Sequence, residues 1–154
     1  MVIEKENREH CFVVEAKMAL PNQYFAGRIG SRFIVALRDH HQILGVRCAK
    51  CDKVFVPPRE YCERCWTRLD ENWVTLGNDG EVTNFTVVWY NERHLPRKAP
   101  YVLAQIKLEG ADTPLTHIIQ GVDPEDVHVG MKVRAVFAEK TTHTIMDLDH
   151  FEPV

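Results

Sequence analysis

Long apolar runs are missing from this chain of 154 residues. No stretch approaches the roughly 18 residues that a membrane-spanning helix needs, which excludes such a span. The first nine residues, Met-Val-Ile-Glu-Lys-Glu-Asn-Arg-Glu, are charged and hold no apolar segment of a secretory signal, so a cytoplasmic protein is expected. Catalytic signatures are missing as well: there is no Gly-x-Ser-x-Gly elbow, no phosphate-binding loop ending in Gly-Lys-Ser/Thr, and no His-Glu-x-x-His helix. Gly27-x-x-Gly30 lacks the third glycine and the preceding strand of a dinucleotide fingerprint and reads as a turn. The eight histidines are scattered. Only His40 and His41 adjoin, and they follow a predicted helix, where imidazoles commonly meet the last carbonyls. Asn84-Phe85-Thr86 matches a glycosylation acceptor, but inside a predicted strand of an intracellular protein the match is fortuitous.

Cysteine is also sparse, yet four of the five are patterned. Cys48-Ala-Lys-Cys51 and Cys62-Glu-Arg-Cys65 share one spacing and stand ten residues apart. A Cys-x-x-Cys turn puts two sulfurs on one side of a tight loop, and two such turns complete a tetrahedron with Zn–S distances of about 2.3 Å. Redox pairs, two disulfides or unrelated core thiols are the competing readings. The duplicated spacing in a reducing compartment favours metal, zinc first and iron as the rival tetrahedral S4 ion. With thiolates at every position no site remains for water or substrate, so the ion is structural. The short interval predicts a compact ribbon, with a strand at Val54, Phe55 and Val56 stopped by Pro57-Pro58. Cys11 is the thiol left over and is expected to be a small buried residue.

Charge divides the chain. Residues 26–68 carry nine Lys or Arg against four acids, whereas residues 69–154 carry seven against fourteen. An anionic ligand therefore belongs near the ribbon and the segment before it. That segment predicts a short amphipathic helix with Ser31 as its N-cap and Phe33, Ile34 and Leu37 on its apolar face. Residues 10–18 read as a strand or part of an arm, the pattern leaving both open.

Beyond the ribbon, Asn72 to Leu76 runs to a Gly77-Asn-Asp-Gly80 turn, and then strands follow one another. They are expected at residues 81–90, 101–108, 115–120, 131–137 and 144–151. Val102, Ala104, Ile106 and Leu108 alternate on one face, as do Met131, Val133, Ala135 and Phe137. Five short strands fit a closed barrel, which removes exposed edges, and the five-stranded OB-fold is the usual small solution. The fold expected is mainly β, divided as an N-terminal arm and helix at residues 1–44, a zinc ribbon at 45–70 and an OB barrel at 71–154.

The series Gly30-Ser31-Arg32-Phe33, Leu37-Arg38, Leu44-Gly45, the two cysteine pairs and Pro57-Pro58-Arg59 resembles the N-terminal helix and rubredoxin-like zinc ribbon of the DUF35 proteins. The likeness continues through Gly80-Glu-Val82, Ala99-Pro100-Tyr101, Gly121-Val-Asp123 and Gly130-Met131-x-Val133 to Phe151-Glu-Pro153. It implies a non-catalytic subunit, one that partners a thiolase-superfamily enzyme or a related acyl-CoA hydratase or aldolase and helps to hold or channel coenzyme A thioesters. For the coenzyme A phosphates the basic segment offers Arg28 and Arg32 at the helix start. Arg93, Arg97 and Lys98 are the next candidates. Tyr24, Phe25 and Phe33 are aromatics that a partner could cover. The rival function is a nucleic-acid binder, since ribbons and OB-folds both serve that use, but an OB groove for nucleic acid needs a basic track and here that half is acidic.

Overall fold

The computed structural model describes residues 23–69, 72–92, 95 and 97–154. The expected strand or arm at 10–18, Cys11 and Arg93 lie outside the described residues. Helix α1 spans Gly27–His40. It starts one turn earlier than Ser31, with Ala26 before it and no side chain capping it, so Ser31 lies inside the helix. Its apolar stripe is as expected: Phe33, Ala36 and Leu37 are buried and Ile34 packs beside them. Phe33 thus belongs to the chain's own core and is closed to a partner, whereas Tyr24 and Phe25 are 86% and 85% exposed. His41 ends the helix in the left-handed region, φ 50°, its N–H donating to the Ala36 carbonyl, and its ring stacks on Phe137.

Three strands form the ribbon sheet: β1 at Ile43–Arg47, β2 at Val54–Phe55 and β3 at Trp73–Leu76. The order is β2-β1-β3, all antiparallel. Burial explains β1, whose Ile43, Leu44 and Val46 are covered on both faces, as a central strand between two neighbours must be.

The barrel follows. Strands β4 (Asp79–Val88), β5 (Tyr101–Leu108), β6 (Leu115–Ile119), β7 (Lys132–Phe137) and β8 (Leu148–Pro153) close in the order β4-β5-β6-β8-β7. All ladders are antiparallel except β6 with β8. β4 pairs with β7 through Asp79–Glu81 and with β5 from Gly80 to Val88, and a bulge between Val82 and Asn84 bends it just beyond the stretch that both neighbours share. The alternation in β5 is as expected, with Val102, Ala104, Ile106 and Leu108 all buried. The last run differs: Ile145–Asp147 is a turn of 3-10 helix, and β8 starts after it. Thr144 accepts the Met146 N–H there and tips the backbone out of the extended state.

Across β4 and β7 two of the three directly opposed pairs are charged, with Gly80 opposite Val133 between them. Asp79 faces Arg134 and Glu81 faces Lys132, each joined at 2.6 Å. One core runs from Phe33 and Leu37 of α1 through Ile43, Val54 and Leu76 to the barrel's Val82, Ile106 and Phe151, so the helix, the ribbon sheet and the barrel share their apolar interior.

Candidate metal centre

Two backbone turns of the same design position the thiols. In the first, the Cys48 N–H donates to the Lys53 carbonyl and the Asp52 N–H to the Cys48 carbonyl, both at 2.8 Å. In the second, the Cys62 N–H donates to the Thr67 carbonyl and the Trp66 N–H to the Cys62 carbonyl, both at 2.9 Å. The fourth residue after each leading cysteine is left-handed, Asp52 at φ 62° and Trp66 at φ 55°. β1 delivers the first turn, and the Tyr61–Arg68 bridge closes the second. Beneath them lies a small core of Val46, Phe55 and Leu69 packed on Cys48 and Cys62.

The four sulfurs of Cys48, Cys51, Cys62 and Cys65 lie within 4.8 Å of one another, and Cys51 Sγ is 3.7 Å from Cys62 Sγ. A tetrahedron with metal–sulfur bonds of about 2.3 Å has edges of about 3.8 Å, so this spacing fits a single zinc ion. The leading cysteines are buried and Cys51 and Cys65 half-buried. Electrostatics point the same way. The Cys51 backbone N–H, helped by that of Lys50, draws the Cys48 thiol down to about 7 against the effect of burial. Cys65 is pushed up to about 12, first by burial and then by the neighbouring Cys51 and Cys62 sulfurs. Four thiolates this close repel one another, and a divalent cation offsets that repulsion.

Arg28 and Arg32 do not join this cluster. Arg28 borders a cleft of about 420 Å3 between the first turn of α1 and the Pro58–Glu60 loop. Arg32 lays its guanidinium over the Trp73 ring, 4.5 Å from the centroid. All four acids of the basic segment are paired with arginines of that same segment, Asp39 with Arg38, Asp52 with Arg47, Glu60 with Arg68 and Glu63 with Arg59, so the pairing leaves the net basic excess of the segment intact. Arg97 pairs with Asp149 and stands between two further clefts of about 620 and 300 Å3. Sequence reasoning missed the left-handed positions after each cysteine pair, because Asp52 and Trp66 share no residue type that would mark them.

Fold and site together define a four-cysteine zinc ribbon joined to a five-stranded OB barrel. Residues 36–71 match the family model described as the ChsH2 rubredoxin-like zinc ribbon domain, and residues 73–138 match that of the ChsH2 C-terminal OB-fold domain. A DUF35 domain-containing scaffold protein of Methanocaldococcus jannaschii is 36% identical over 66% of this chain and 71% of its own length. A DUF35 domain-containing scaffold protein of Methanothermobacter thermautotrophicus is 26% identical over 64% and 74%. Among solved structures, a DUF35 protein from Sulfolobus solfataricus aligns with a TM-score of 0.58 at 29% identity, over 71% of this chain and 78% of that one. A chain of the Ltp2-ChsH2(DUF35) aldolase aligns at 0.63 with 23% identity, over 82% and 95%, a likeness of fold. The chain belongs to the DUF35 family. Among the described residues no helix is long and apolar enough to cross a membrane.

Proposed function

We propose that this chain is a non-catalytic, zinc-binding subunit of an acyl-CoA-processing complex, partnering a thiolase-superfamily enzyme and helping to bind or channel coenzyme A thioesters. The observation that carries the reading is the closed donor set. Cys48, Cys51, Cys62 and Cys65 are the ligands proposed for one zinc ion, and four thiolates leave no coordination position for water or substrate. The metal then holds the fold, and the chemistry belongs to another chain. Two relatives are described as scaffold proteins, and a structural neighbour was solved as an aldolase containing a DUF35 component, which supports an accessory role.

Arg28 and Arg32 are the residues proposed for the coenzyme A phosphates. The first turn of α1 has no capping side chain and no acid, so its free N–H groups and dipole favour an anion beside Arg28. Stacking on Trp73 fixes the Arg32 fork in a plane suited to paired hydrogen bonds. The nucleic-acid alternative draws no support from residues 69–154, where fourteen acids outnumber seven basic residues.

Co-expression with a thiolase acting on an aromatic acyl-CoA, such as benzoylsuccinyl-CoA, is the direct test. A stable hetero-oligomer that binds coenzyme A is expected. Arg28→Ala and Arg32→Ala should weaken that binding more at low salt than at high salt, with zinc content unchanged. Unaltered affinity in both variants moves the phosphate site, with Arg97 and Lys98 next. Failure of co-expressed chains to associate rejects the partner.

A further inference from the structure

The two cysteine turns are backbone copies, but they differ in what they present outward. The left-handed position suits aspartate, whose short polar side chain tolerates it, and Asp52 there also pairs with Arg47 at 3.0 Å. Tryptophan at the equivalent position has neither advantage. A bulky residue in the left-handed region is an outlier that costs conformational energy. Trp66 is nevertheless 80% exposed, and none of the ring or cation contacts found among the described residues involves it. Its indole therefore contributes little to the chain's own packing while straining its backbone.

The surroundings of Trp66 indicate what would use it. Lys50 and Arg64 hold the third position of each Cys-x-x-Cys turn and are exposed, and Tyr61 beside Cys62 is exposed too. All lie within two residues of one thiol cluster only 4.8 Å across. Because the four acids of residues 26–68 are already paired with arginines, Lys50, Lys53 and Arg64 form no ion pair among the described residues. A dication held by four thiolates has a charge of −2, which these three cations exceed. An exposed indole and exposed cations carried by the same pair of turns are the makings of an interface anchor, where Trp and Arg concentrate the binding energy.

We infer that the metal-site face of the ribbon, which carries Trp66, is the surface on which this chain docks a partner protein, and that the partner offers an apolar pocket for the indole rimmed by carboxylates. The inference rests on the accessory-subunit reading and names the surface that reading leaves open. Charge complementarity selects a protein over a nucleic acid. Three cations can neutralise only a few phosphates, and the acidic barrel half continues no basic track.

The test uses the complex purified from co-expression, its large subunit then isolated and titrated with this chain. Trp66→Ala should weaken association roughly 30-fold or more, the level of an anchor residue. Trp66→Asn should do the same while leaving the melting temperature unchanged or higher, because asparagine accepts the left-handed backbone; a merely structural tryptophan would lower it. Lys50→Glu with Arg64→Glu should weaken binding most at low salt. Asp52→Asn, the control at the equivalent position, keeps a residue that accepts the left-handed backbone and should stay within about threefold of the parent, the ordinary change for a surface substitution. A complex whose affinity is untouched by Trp66→Ala overturns the docking surface and leaves the accessory reading standing. Absence of any complex overturns both. Tight binding of a twenty-nucleotide single strand that Trp66→Ala abolishes assigns the face to nucleic acid and overturns the proposal.

Discussion

Asp112 and Val54 are bonded as though two strands continued side by side: the Val54 N–H donates to the Asp112 carboxylate at 2.8 Å, and the Asp112 N–H donates to the Val54 carbonyl at 2.9 Å. One residue further on, the Thr113 hydroxyl accepts from the Val56 N–H at 2.8 Å and donates to the Val56 carbonyl at 2.9 Å. β2 is the edge strand of the ribbon sheet, and this loop between β5 and β6 covers its outer edge. The barrel thereby fastens the strand that follows the first cysteine pair. Asp112→Ala leaves the Val54 N–H unpaired and should cost about 1–3 kcal/mol, whereas Asp112→Asn, which keeps an accepting oxygen, should cost less. Urea unfolding of the zinc-loaded chain measures the loss. Amide exchange at Val54 should quicken with it, and unchanged protection there would discard the idea that the loop holds the edge.

Zinc should be present at one ion per chain and should dominate ribbon stability. Structural sites of this kind contribute on the order of 10 kcal/mol of apparent binding energy, comparable to the whole net stability of an ordinary domain. Cys48→Ser should therefore unfold residues of the ribbon sheet, and a chelator should do the same to the parent. Binding requires thiolates, so acid opposes it and loading should release protons, fewer from Cys48, which sits near 7, than from Cys65, which sits near 12. Elemental analysis of folded protein carrying neither zinc nor iron would end the claim.

Elements whose code is local were legible in the sequence. Period-two alternation marked β5 to the residue, because each inward position carries an apolar side chain and no turn residue interrupts it. The paired cysteines were legible for the same reason, since the spacing itself makes the turn. What failed depended on distant partners. Ser31 resembles a cap by type, but Gly27, φ 71°, lets the chain enter the helix a turn sooner, and packing of Phe33 and Leu37 holds it there. That β3 would pair with β1 rather than join the barrel is a matter of non-local register, which Trp73 and Val74 do not advertise. The bond between Asp112 and Val54 spans 58 residues and leaves no local pattern. For the candidate site, the four-cysteine cluster was readable, but Trp66 became notable only through its backbone angle.

Gly80 is fixed by crowding. A Cβ there would stand 2.9 Å from both Ile106 Cγ2 and the Lys107 carbonyl, at a position of β4 that is paired with both β5 and β7. Gly80→Ala should cost about 1–3 kcal/mol, the usual range for forcing extra volume into a packed interior. Gly77→Ala is the matched control, because its nearest neighbours lie at 3.8 Å and beyond. Equal stability of the two variants in denaturant unfolding would mean that the β4–β5 contact yields without strain.

His117 gives the barrel a built-in acid sensitivity. It sits on β6, 4% exposed, edge-on to Phe151 at 5.9 Å, and neither ring nitrogen has a hydrogen-bond partner among the described residues. A buried imidazole ordinarily finds such partners. Burial holds its pKa below the ordinary histidine value; the Ile145 and Ile118 backbones, near the ring but out of good geometry, and the Asp149 carboxylate counteract part of this. Asp149 is itself engaged by Arg97 and by His150, so it offers little to a charged His117. The sign follows from linkage. Below the usual histidine value of about 6.5 the unfolded chain takes up a proton that the folded chain refuses, so stability is full above that pH and falls as pH drops toward the lowered folded pKa. His117→Leu removes both the unpaired nitrogens and the titration. It should change stability by less than about 1 kcal/mol at neutral pH and gain steadily on the parent as pH falls. Acid also loosens the metal site, but equally in both proteins, so the difference between them isolates the imidazole. Parallel stability curves for parent and variant between pH 7.5 and 5.5, a span chosen to bracket about 6.5, would remove His117 as the source.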